Sequence, residues 1–101
     1  METIEDILQA AADSGLDLSR PQSVRFRLSF PRRGNAQRFA MWAKMVGYGC
    51  EIEADDINWA VDCCRQMVPD AEKLNATENR LVDLAKEMGG QIVGCRIQRI
   101  R

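Results

Sequence analysis

A chain of 101 residues, 46% hydrophobic and 29% charged, has a globular rather than a disordered composition, and at this size it hides about two thirds of the surface its unfolded form exposes without a disulfide or metal staple. No apolar run approaches the roughly 18 residues of a membrane span, and the acidic, amphipathic start METIEDILQAAADSG lacks the basic-then-apolar order of a secretory signal, so a soluble, cytoplasmic protein is expected. The net charge of −1 conceals blocks of one sign: residues 1–17 carry five acids and no base, residues 18–50 seven bases and no acid, residues 51–62 five acids and no base. Such blocks either steer a charged partner or neutralise one another across neighbouring elements.

In chain order, Ile4, Ile7, Leu8 and Ala11 recur at helical spacing ahead of Gly15 and predict a leading helix over residues 1–15. Pro21 and small polar residues make 16–23 a connector. VRFRLSF then alternates strictly, Val24, Phe26, Leu28 and Phe30 on one face and Arg25, Arg27 and Ser29 on the other, which predicts a strand with one side buried. Asn35 is the expected cap of a helix whose stripe is Phe39, Trp42, Ala43 and Val46, ended by Gly47. YGCEIE and INWAVDCCRQ read as a hairpin turning through the acidic EADD, with Tyr48, Cys50, Ile52, Ile57, Trp59, Val61 and Cys63 inward. Asn75 with Glu78 suggests a capping box for a helix buried through Leu81, Leu84, Ala85 and Met88 and stopped at Gly89. The closing strand QIVGCRIQRI places Val93, Cys95 and Ile97 on its inner face.

This order, α then β-α-β-β-α-β, predicts an α+β ferredoxin-like two-layer sandwich: a four-stranded antiparallel sheet with two helices on one face, plus the short N-terminal helix. Residues 1–101 read as one domain, with no internal linker or repeat.

The chemistry-bearing residues are few. The chain has no histidine, and its four cysteines, Cys50, Cys63, Cys64 and Cys95, include no C-x-x-C pair, so neither a zinc site nor any other cofactor is expected. Neighbouring strand residues point to opposite faces, which makes Cys63 a small apolar core residue and leaves Cys64 as the one candidate reactive thiol. Without histidine, and with its serines in a connector or a strand, the chain offers no hydrolytic triad, and no enzyme activity is expected. The glycine clusters GYG and MGG sit where helices end and do not form a phosphate loop.

Single-stranded RNA readers of this fold class stack bases on aromatics exposed on the first and third strands. Here the outward residues are Arg25, Arg27 and Ser29 beside Asn58, Ala60, Asp62 and Cys64. Direct nucleic-acid binding is therefore not expected. The open sheet face, with Arg25, Arg27, Asp62 and Arg96 as neighbours, is the candidate surface for a protein partner or for self-association. The alternative reading is a nucleic-acid-binding or structural module using the basic segments.

The runs GLDLSRPQSVRFRLSFP, AQRFAMWAKMVGYGCEIE, WAVDCCRQMVP and TENRLVDLAKEMGGQIVG together resemble the RraB-like family, regulators of ribonuclease E activity, over about residues 12–95. The most specific parts are Arg20-Pro21, Gly47, the Trp59 to Met67-Val68-Pro69 strand end, and the Leu81 to Gly90 helix with its double glycine. The resemblance implies a ferredoxin-like fold and a non-enzymatic inhibitor that binds ribonuclease E rather than RNA. Where family members often carry Asp-Gly-Trp, this chain keeps Gly94 and has Cys95 in the tryptophan's place. It also lacks the strongly acidic segments of the characterised inhibitor.

Overall fold

The computed structural model describes residues 2–100. Its elements run α1 (Ile4–Asp13), β1 (Gln22–Phe30), α2 (Arg33–Met45), β2 (Gly49–Asp55), β3 (Asn58–Met67), α3 (Ala71–Glu87) and β4 (Gln91–Gln98). The strands form one antiparallel sheet in the order β2-β3-β1-β4. With β1 and β3 central, this is the ferredoxin-like βαββαβ arrangement.

The two-residue period of β1 organises the core. Val24, Phe26, Leu28 and Phe30 are fully buried, while Arg25, Arg27 and Ser29 between them are half-buried on the opposite side. The buried side meets Phe39, Ala40 and Ala43 of α2 and Leu74, Leu81 and Ala85 of α3 in one continuous apolar cluster. Phe30 and Phe39 lie with ring centroids 5.2 Å apart, in the tilted geometry that aromatic pairs favour. The helix layer holds α1 as well as α2 and α3: α1 packs on β4 and α3, and its Ile4 and Ala11 belong to the same core. Thr3 and Asp6 close a reciprocal capping box at its start, which satisfies two backbone donors.

Several boundaries differ from the expectation. α3 begins at Ala71, capped by Asp70, whose carboxylate accepts from Lys73 N at 2.9 Å; Asn75 lies inside the helix and donates to Ala71 O. An acid at the cap also answers the helix dipole, which an amide does not. α2 starts at Arg33, so Asn35 falls in its first turn and no side chain caps it. The hairpin turns at Asp56 and Ile57, with Asp56 at φ 57°, so Glu53–Asp55 continue β2 and the turn is shorter than EADD. Ile57 is consequently exposed.

β4 departs from a single alternation because a bulge shifts its register: Arg27 faces Gly94 while Leu28 faces Ile92. Val93 is the extra residue and turns outward, and Ile92 takes its inward place beside Cys95 and Ile97. Trp42 and Trp59 rim the core and are half-buried: the Trp42 ring is tilted against Phe39 with centroids 5.8 Å apart, and the Arg33 guanidinium sits 5.2 Å from the Trp59 ring. Val46 and Ile52 lie at the edge of their apolar stripes and remain exposed. Ala60 points to the open face yet is buried, in the row between Ser29 of β1 and Glu53 of β2.

Candidate functional site: the open sheet face

All three helices join the core on one side of the sheet, leaving the side that carries Arg25 and Arg27 without a covering layer. The strand register arranges this face in rows. One row reads Glu51, Asp62, Arg27, Gly94 across β2, β3, β1 and β4, and the next reads Gly49, Cys64, Arg25, Arg96. The four residues expected at the site, Arg25, Arg27, Asp62 and Arg96, therefore do lie together.

They do not behave alike. Arg27 is the hub of an acidic cluster: its Nη1 donates to Asp62 Oδ2 and to Glu53 Oε1, each at 2.8 Å, and its Nη2 lies 3.6 Å from Asp55 Oδ2. The hydrogen bond to Glu53 is the largest of the influences that hold Arg27 more firmly charged than an ordinary arginine. Asp62 is the most sheltered of the three acids, with a side chain 13% exposed. Glu53 and Asp55 were missed in the sequence because EADD looked like turn material. The available signal was the alternation of Glu51, Glu53 and Asp55 with Ile52 and Ala54, which marks one face of a strand.

Arg25 and Arg96 stand directly opposite one another, and neither makes an ion pair among the described residues. The Arg25 Nε is buried without a hydrogen-bond partner among the described residues. A groove of about 620 Å³ runs from these arginines over β4 at Gly94 to Ile7 and Glu78 on the helix side. At Gly94 an added Cβ would meet nothing within 4 Å, so the glycine leaves the groove floor open. Burial pushes the Glu78 carboxyl above its ordinary range.

The four cysteines are free thiols. Cys50 and Cys63 face each other across β2 and β3 with their sulfurs 3.7 Å apart. Cys63 is fully buried, and burial drives its thiol far above the usual value; Cys95 is pushed up to about 12, also mainly by burial. Thiols so shifted are poor nucleophiles near neutrality. Cys64 projects onto the open face, with its sulfur 3.0 Å from Ser23 Oγ. Among the described residues no three histidine, cysteine or acidic side chains group as a metal site. Phe26 and Phe30, the aromatics of β1, point into the core and are unavailable for base stacking.

Fold and surface together define a ferredoxin-like sandwich with one sheet face covered by helices and the other bare and charged. The chain belongs to the RraB family: the family model, described as regulator of ribonuclease activity B, matches residues 2–94. The match takes in α1 and runs through β1 to the first half of β4, ending at Gly94 ahead of Arg96, and it reaches further toward the N-terminus than the motifs in residues 12–95. No curated protein matches the chain. No helix among the described residues is long and apolar enough to cross a membrane.

Proposed function

We propose that this chain is a non-enzymatic, cytoplasmic regulator that binds a protein, ribonuclease E, through its open sheet face and lowers its RNA-cleaving activity. The observation that carries the reading is the family match over residues 2–94. The surface supports it: the bare face presents Arg25, Arg27, Asp62 and Arg96 together, and arginine is enriched at protein interfaces because its planar fork pairs carboxylates while its stem packs on apolar groups. RNA binding finds less support, because the same face carries Glu51, Glu53, Asp55 and Asp62 and no aromatic platform.

The test is a cleavage assay with purified ribonuclease E and a fluorogenic RNA, titrated with the chain, alongside direct binding by calorimetry. Gly94→Trp is the informative variant. A Cβ at this position meets nothing within 4 Å and the backbone lies outside the left-handed region, so the side chain can start without strain and its indole is placed to obstruct the groove. The expected result is inhibition by the parent chain and its loss in Gly94→Trp at an unchanged melting temperature. Full inhibition by Gly94→Trp would place the contact elsewhere, and absence of binding by the parent would reject ribonuclease E as the partner.

A further inference from the structure

We infer that Arg25 and Arg96, at the head of the groove that crosses β4 at Gly94, form a carboxylate-binding subsite for an acidic segment of the protein partner. The inference rests on the sheet-face reading above and adds the chemistry of what the face holds. Its starting point is an asymmetry. Arg27 already has three carboxylates around it, within 3.6 Å, and has little left to offer a ligand. Among the described residues Arg25 and Arg96 pair with none, although they occupy directly opposed positions on neighbouring antiparallel strands, where like charges repel. An anion between them removes that repulsion.

Hydrogen bonding points the same way. The Arg25 Nε is shielded from water and finds no hydrogen-bond partner among the described residues, and an unmet buried donor is unfavourable. If the half-buried Arg25 side chain turns outward onto a carboxylate, Nε and one terminal nitrogen both donate to it, in the bidentate geometry that arginine and carboxylate share. The Arg96 side chain, exposed on the edge strand, closes on the same anion from the other side.

Surrounding charge selects the source of the carboxylate. Asp62 lies beside the arginines, and Glu78 and Glu2 line the far part of the groove. A nucleic-acid strand carries a charge on every nucleotide and would lay further phosphates along these acids. A peptide can place one acidic side chain at the arginine pair and set uncharged neighbours against Ile92 and the outward-turned Val93, which also line the groove. The fitting ligand is therefore an Asp or Glu side chain within a peptide that has apolar residues beside it.

The experiment titrates the ¹⁵N-labelled full chain with an N-acetylated, amidated peptide of sequence Ser-Val-Leu-Glu-Leu-Val-Ser, with the same peptide carrying Gln for Glu as the uncharged control and octauridylate as the phosphate control. The expected result is a saturable shift of the Arg25, Gly94 and Arg96 amides with the Glu peptide and none with the Gln peptide. Affinity should fall at least tenfold in Arg25→Met with Arg96→Met. Arg25→Lys and Arg96→Lys, which keep charge but lose the fork, should each fall less than that double variant and serve if the methionine variant does not fold. The inference is overturned if the Glu peptide shifts other residues or none, if the arginine variants bind as well as the parent, or if octauridylate binds the arginine pair more tightly than the Glu peptide. Should Gly94→Trp abolish ribonuclease E binding while the Glu peptide fails to bind, the sheet-face reading stands and this inference alone falls.

Discussion

Replacing Gly90 by alanine tests how tightly the end of α3 is set against the sheet. Gly90 follows the helix terminus, where its N–H reaches back to Ala85 O at 2.7 Å. An added Cβ would lie 2.5 Å from Phe30 Cδ1 and 2.9 Å from Phe30 Cζ, whereas ordinary contact begins at 3.4 Å. The Phe30 ring must therefore retreat by about 1 Å, yet it is fully buried and already packed against Phe39. Close-packed interiors lack the room for such a shift, and overpacking of this kind costs about 1–3 kcal/mol. With a urea m-value of about 1–2 kcal/mol/M for a chain of this size, the midpoint should drop by roughly 1 M. Equilibrium urea unfolding followed by tryptophan fluorescence measures it. The companion variant Phe30→Leu should lose much of its own cost when combined with Gly90→Ala, giving a coupling of about 1 kcal/mol or more in a double-mutant cycle. Gly94→Ala, with open space around it, should stay within about 0.5 kcal/mol of the parent. A Gly90→Ala midpoint within error of the parent would refute the close approach of Gly90 to Phe30.

Arg27→Met strands the sheltered Asp62 carboxylate beside Glu53 and Asp55, and should cost about 2 kcal/mol by chemical denaturation; a neutral result would mean that the acids are solvated without it. Asp70→Ala should cost about 1 kcal/mol, whereas Asn75→Ala should remain within about 0.5. Thermal melts of the two variants decide which residue caps α3. Cys95 and Cys63 are held protonated by burial, with Cys95 near 12 against an ordinary 9.0. The unfolded chain therefore releases these protons first, so their contribution is fully present below about pH 9 and is lost as pH rises toward 12. Melting temperature measured from pH 8 to 11 should fall with a slope that Cys95→Ala reduces, and an unchanged slope in that variant would assign the loss to other groups.

Periodicity made much of this fold legible without a structure. The strict alternation of β1 identified its buried and open faces residue by residue, because side chains in a strand have no choice but to alternate. Gly15, Gly47 and Gly89 marked helix ends and all take positive φ, the conformation that glycine adopts without steric cost. The placement of Arg25, Arg27, Asp62 and Arg96 on one surface followed from the same alternation once the strand order was expected. Lateral detail was not legible. Where the hairpin turns, which residue of β4 is extra, and where a capped helix begins each depend on competition between neighbouring candidates. Asp56 and Ile57 rather than the whole of EADD make the turn, Val93 is the extra residue of β4 and joins Gly94 on the outer side instead of facing inward, and Asp70 rather than Asn75 caps α3. Tertiary structure alone decided that α1 joins the core and that Arg27 is occupied by Asp62, Glu53 and Asp55 while Arg25 and Arg96 pair with no acid among the described residues. The physical reason is that a local pattern fixes which way a side chain points, whereas the groups it meets are set by register between strands distant in sequence, where a shift of one residue exchanges every neighbour.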